Sequence, residues 1–149
     1  MHVKELFESI VNYRYKLEAL AEELKEARHS LESVKAVPLK ERVQTSSQID
    51  VSELLAQLEQ YHFKILQAQI DLIKRKNKAF EILNFETDNL NYAILLKWYF
   101  QGKSWDEIAH ELGERDRSAL SERKNKAVEQ LNTTKKLQKT TKTYIEYVI

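Results

Sequence analysis

From Leu6 onward, apolar residues recur at Leu6, Ile10, Tyr13, Leu17, Leu20, Leu24, Ala27, Leu31 and Val34, with steps of four and three alternating throughout. Steps averaging 3.5 residues keep one narrow apolar stripe facing a partner helix, the signature of a coiled-coil seam. Glu5, Glu8, Arg14, Lys16, Glu18, Glu22, Glu23, Lys25, Glu26 and Arg28 flank it, as on a solvent-facing surface. The pattern predicts a helix over about 3–36. Pro38 ends it, because proline has no N–H to donate and disfavours the α conformation at Val37. A linker over 37–49 follows, with Ser47 or Asp50 as the N-cap of a second helix over about 50–84.

That helix carries Val51, Leu54, Leu58, Tyr61, Ile65, Ala68, Leu72, Ala79 and Ile82 on one seam, broken at Arg75. A second stripe of Leu55, His62, Leu66, Ile73 and Phe80 runs beside it, so the helix has more apolar surface than one neighbour covers. The expectation is an antiparallel hairpin across the linker, with the leftover face paired to a second copy or another protein. His29 and His62 have no Cys, Asp or second His at i+3 or i+4 on their faces and read as pairing residues rather than metal ligands.

After Thr87 the period changes to short, capped helices. The first opens at Thr87 or Asp88, places Leu90, Ala93, Ile94, Trp98 and Tyr99 inward, and ends at Gly102. The next begins with a Ser104-x-x-Glu107 capping box, buries Ile108, Ala109 and Leu112, and closes at Gly113. The third starts near Asp116 and aligns Leu120, Ala127 and Leu131 on one side. Its remaining face is polar and rich in hydrogen-bonding groups suited to reading base edges. The predicted fold is all-α: a coiled-coil helical arm over 1–86, a three-helix helix-turn-helix domain over 87–132, and a basic, apolar tail over 133–149. The tail's Thr140, Thr141, Thr143, Tyr144, Ile145, Tyr147, Val148 and Ile149 favour an extended conformation.

Composition agrees with long helices: among 149 residues there are two glycines, one proline and no cysteine. Without cysteine there is neither a disulfide framework nor a thiolate metal site, and no apolar run approaches the length of a membrane span. A cytoplasmic protein without membrane association is expected. The net charge of +1 advertises no polyanionic partner, so local clusters carry that argument: Lys74, Arg75, Lys76 and Lys78, and the tail's Lys135, Lys136, Lys139 and Lys142. Phosphate-cradling glycine loops, nucleophile elbows and metalloprotease motifs are missing, so no enzyme and no cofactor are expected.

The segment from Tyr99 to Gly113, YFQGKSWDEIAHELG, resembles the helix-turn-helix of sigma factor region four. More narrowly, the whole arrangement resembles the ArpU and RinA type of late-gene transcriptional regulators of phages and prophages of Gram-positive bacteria. Arg42-Val43-Gln44-Thr45-Ser46 is similar to a short motif of that group. The resemblance implies a sequence-specific duplex-DNA-binding regulator, a late-gene activator, with host RNA polymerase as a partner; the apolar seams over 6–34 and 51–82 point to a homodimer through the arm. Leu120 stands twelve residues after Ile108, so the turn between the two helices is one residue longer than in the family pattern. The candidate DNA-binding residues are Ser118, Ser121, Glu122 and Asn125 toward bases, and Lys103, Arg115, Arg117, Lys124 and Lys126 toward phosphates. Two rival readings join the same parts differently: a non-catalytic assembly or adaptor protein, and a DNA-packaging subunit of the small-terminase kind.

Overall fold

The computed structural model describes residues 2–36 and 51–148, and among them every regular element is a helix. The expected linker, its Arg42–Ser46 motif and the caps Ser47 and Asp50 lie outside the described residues. Five helices follow in order: α1 (Val3–Ala36), α2 (Val51–Leu83), α3 (Asn89–Leu95, continuing as a π-helical turn over Leu96–Phe100), α4 (Trp105–Leu112) and α5 (Arg117–Val148). None is long and apolar enough to cross a membrane.

The chain divides into two compact units, Met1–Asn12 with Ile73–Ile149, and Tyr13–Leu72. In the first, Ile94, Ile108, Ala109 and Leu120 form a buried cluster, with Trp98, Trp105 and Leu112 packed against it. Local chemistry sets each helix end. Asp88 caps α3 by accepting from the N–H groups of Leu90 and Asn91 at 2.9 and 3.0 Å, satisfying donors that a helix start leaves open. Ser104 caps α4 by accepting from Glu107 N–H, and Gly113 closes it in the left-handed region at φ +67°. Asp116 starts α5 by accepting from Ala119 N–H at 3.2 Å.

Two expectations are corrected here. Residues 133–148 do not form an extended tail: α5 runs unbroken to Val148. Thr133 and Thr134 satisfy their hydroxyls on the carbonyls of Glu129 and Gln130, four residues back, so the β-branched residues at the start of this stretch sit in the helix without an orphaned polar group. Leu90 is exposed; the buried positions of α3 are Ile94, Leu95, Tyr99 and Phe100, with Trp98 half-buried against the core as expected. The wider π turn, in which Gln101 N–H reaches back to Leu96 O, lets the consecutive Tyr99 and Phe100 both be buried.

The start of the α1 seam is also spent differently. Val3, Leu6, Phe7 and Ile10 are buried within the first unit, where the Phe7 ring lies 5.2 Å from Tyr99 and 5.9 Å from Phe100, and Val3 N–H donates to Asn132 Oδ1. Phe80 of α2 joins the same aromatic group, 4.3 Å from Phe100. The bounds of this compact unit therefore lie inside α1 and α2.

The second unit holds the rest of α1 and the greater part of α2. Ala27 and Leu31 of α1 and Leu54 and Ala68 of α2 are buried there, with Leu17, Leu24, Leu58, Tyr61 and Ile65 half-buried. The Arg28 guanidinium donates to His62 Nε2 at 3.4 Å, a contact between the two helices.

Candidate nucleic-acid interface

Helix α5 places Leu120, Ala127, Val128 and Leu131 inward, which leaves Ser118, Glu122, Asn125 and Lys126 exposed along its opposite side and Ser121 half-buried at the edge. Four residues, Gly113–Asp116, join α4 to α5, and Arg115 lies exposed in that turn. Glu114 folds its carboxylate back onto the N–H groups of Arg115 and Asp116, which holds the turn.

The nine candidate residues are not equally available. Arg117 pairs with Asp106 at 2.5 Å, tying the first turn of α5 to the first turn of α4. Both side chains are 65% exposed, so the pair holds weakly and a phosphate competes with it easily. Lys103 pairs with Glu111 at 2.5 Å, and the same carboxylate takes Lys97 at 2.6 Å. The two ammonium groups hold the Glu111 carboxyl below its ordinary range, Lys103 first and Lys97 second. One carboxylate against two lysines leaves this trio with a single uncompensated positive charge.

Lys124 is directed inward. It lies four residues after Leu120 and three before Ala127, on the buried side, and its ammonium sits 5.0 Å from the Trp98 ring, 5.5 Å from Tyr99 and 5.7 Å from Trp105. Trp98 and Trp105 stack at 4.3 Å with 11° between their planes. Desolvation among the rings pushes the Lys124 amine below its usual value, an effect that Glu8 opposes. The helical spacing from Leu120 was signal enough to separate Lys124 from the outward lysines. Burial, aided by the Glu8 charge, likewise pushes the Tyr99 phenol up to about 12.

Two contributors lay beyond sequence reasoning. Arg123 reaches across to α3, donating to Asn91 Oδ1 at 2.6 Å and Asp88 Oδ2 at 3.2 Å, so the residue that caps α3 also anchors α5. The Asn91 and Leu90 N–H groups and Arg123 hold the Asp88 carboxyl below its ordinary value, against a smaller opposing contribution from burial. His2 and Lys4, assigned by pattern to the arm, line a cleft shared with Asn125 and Asn132. The start of α1 thus adds a cation beside the outward face of α5. Among the described residues, no group of three His, Asp or Glu side chains is placed to hold a metal ion.

Comparison of the chain with protein-family models, with curated proteins and with solved structures returned no match.

Proposed function

We propose that the chain is a sequence-specific double-stranded DNA-binding transcriptional regulator of the phage late-gene activator kind, working as a homodimer through a coiled-coil helical hairpin. In this reading α4 and α5 are a helix-turn-helix, with α4 across the backbone and the N-terminal half of α5 in the major groove. The carrying observation is the exposed row Ser118, Glu122 and Asn125 on a helix whose opposite side is a closed core. Asn125 matches the donor and acceptor pair of an adenine edge, and Glu122 accepts from a cytosine amino group. Arg115, Arg117, Lys126 and Lys4 surround that row and contact phosphates, while Lys124 keeps the aromatic stack in place and Lys103 remains with Glu111. Arg28 against His62 supports the hairpin, since it brings residues on either side of the linker alongside each other. The likeness of Tyr99 to Gly113 to sigma region four supports promoter DNA as the target and RNA polymerase as a partner.

The test is a pair of substitutions read on cognate and random duplexes across a salt titration. Asn125→Ala should cost about 1–3 kcal/mol on the cognate site and blur discrimination. Arg117→Ala should weaken all duplexes alike and lower the salt slope by about one. Parent-like binding by both variants overturns the assignment of α5 as the reading helix.

A further inference from the structure

Helix α5 outruns the core it helps to close. Leu131 is its last buried position among the described residues, yet the helix continues to Val148. Lys136, Leu137, Gln138 and Lys139 make up one complete turn and all are exposed, as are Lys142 and Glu146 beyond them. A helical end exposed on every side takes little stability from tertiary packing. Its charge opposes the helix as well. Lys135 and Lys139 stand at i and i+4, and Lys136, Lys139 and Lys142 follow at steps of three, spacings at which like charges on a helix repel.

Charge also says what relieves this end. Residues 132–149 hold those four lysines against Glu146 alone, in a chain whose total is only +1, so the remainder of the molecule is net negative. The positive surplus of the protein is thus collected on the helix that carries Ser118, Glu122 and Asn125, and within the same compact unit. Lys136 follows Ser118 by about five whole turns and therefore continues the exposed row, away from Leu120 and Leu131, while Lys139 lies roughly 60° to its side. Along the helix axis the two lysines stand roughly 17 and 21 Å beyond Asn125. The major groove is about 12 Å wide, so a helix seated in it by its N-terminal half has left the base edges at that distance and meets backbone. Glu129, the single acid between Asn125 and Lys136, separates the lysines from the reading row.

We propose that the exposed end of α5, through Lys136 and Lys139, holds the phosphate backbone of duplex DNA beside the site that the N-terminal half of the same helix reads. The inference rests on the proposed function for duplex DNA as the ligand, and adds to it a contact that carries no sequence information.

Fluorescence anisotropy of the full chain with labelled cognate and random-sequence duplexes over a salt series tests it, with helicity followed by circular dichroism. Lys136→Ala with Lys139→Ala should lower the logarithmic salt slope by about two, taken from the slope that Arg115, Arg117 and Lys126 set together with this end. The dissociation constants for both duplexes should rise by the same factor, about tenfold or more at low salt, with their ratio unmoved. Alanine favours the helix, so helicity should hold. Lys16→Ala with Lys25→Ala removes the same charge from exposed positions of the second unit and should leave the slope near that of the parent. A parent-like slope in the Lys136 and Lys139 variant, or an equal loss in the Lys16 and Lys25 variant, overturns the proposal; the former leaves the lysine face to an acidic protein surface. The two readings fail distinguishably. A parent that binds duplex DNA with sequence preference while the α5 variant keeps its slope sinks only the added contact. A parent that binds all duplexes alike while the variant loses slope sinks only the sequence-specific regulator, and a parent with no affinity for any duplex sinks both.

Discussion

The two compact units bury their apolar residues by different means. Around Ile94 and Ile108 the short helices α3 and α4, the start of α5 and the first turns of α1 meet from several directions, and the large side chains Phe7, Ile10, Leu83, Ile94, Leu95 and Ile108 are fully buried. Within Tyr13–Leu72 two helical segments meet along one seam, where small residues, Ala27 and Ala68, are among the few that are buried and Phe63 lies open. A core closed on many sides can hold a surface helix at a fixed position, which reading base edges requires. A single seam leaves each helix a free flank, and on α2 that flank is apolar. In the proposed function, recognition belongs to the first unit and association to the second.

The largest effect expected from breaking this contrast is in the closed core. Ile94→Ala should destabilise the protein by about 2–5 kcal/mol through lost burial and a residual cavity. Leu66→Ala on the open stripe, measured where the chain is monomeric, should stay within about 0.5 kcal/mol. Urea unfolding of the two variants side by side compares the units directly; equal losses would mean that Leu66 is buried in the single chain.

Next is the crossing of α3, α4 and α5. Ala109 lies within the buried cluster, where a larger side chain has no room. Ala109→Leu should cost about 1–3 kcal/mol by overpacking and should reduce duplex affinity more than Leu66→Ala does, because it displaces α5. Gly113→Ala ranks below it. A methyl at Gly113 would meet nothing within 4 Å, so the penalty is that of the positive φ alone, about 1–2 kcal/mol, and Gly113→Asn should cost less.

The boundaries of α3 and α4 were legible because caps are local. Asp88, Ser104 and Gly113 each act within a few residues of their own position, and each stands where the sequence places a helix end. The long course of α5 was not, since intrinsic preference sees threonines and misses the carbonyls of Glu129 and Gln130 to which Thr133 and Thr134 bond. Nor was the use of Leu6, Phe7 and Ile10. Four-three spacing records that a face is buried without recording against what, and Phe7, outside the seam, owes its burial to Tyr99 and Phe100 more than ninety residues away. The candidate site divided the same way. Ser118, Glu122 and Asn125 are outward as helical spacing requires, but the pairing of Lys103 with Glu111 and the approach of Lys4 to Asn125 depend on tertiary placement.

The smallest predicted effect concerns pH. Glu111 and Asp88 have folded-state carboxyl values below the ordinary ones. A depressed folded value contributes stability that is present above the unfolded value and is lost as pH falls through the folded one. Melting temperature should therefore decline as pH drops below the carboxylate range, and Glu111→Gln with Asp88→Asn should flatten that decline. An unchanged acid limb would show that the ion pairs to Lys97, Lys103 and Arg123 contribute nothing to folding.

The division of labour stands or falls on whether the unmodified chain engages duplex DNA electrostatically. Fluorescence anisotropy with a labelled duplex over a range of salt concentrations measures this. Arg115, Arg117 and Lys126 predict binding at low salt and a logarithmic slope of about −3 per chain against salt concentration, steeper if Lys4 takes part. A chain that remains folded and shows no affinity for any duplex at low salt would contradict the account and leave the three-helix core as a packing module.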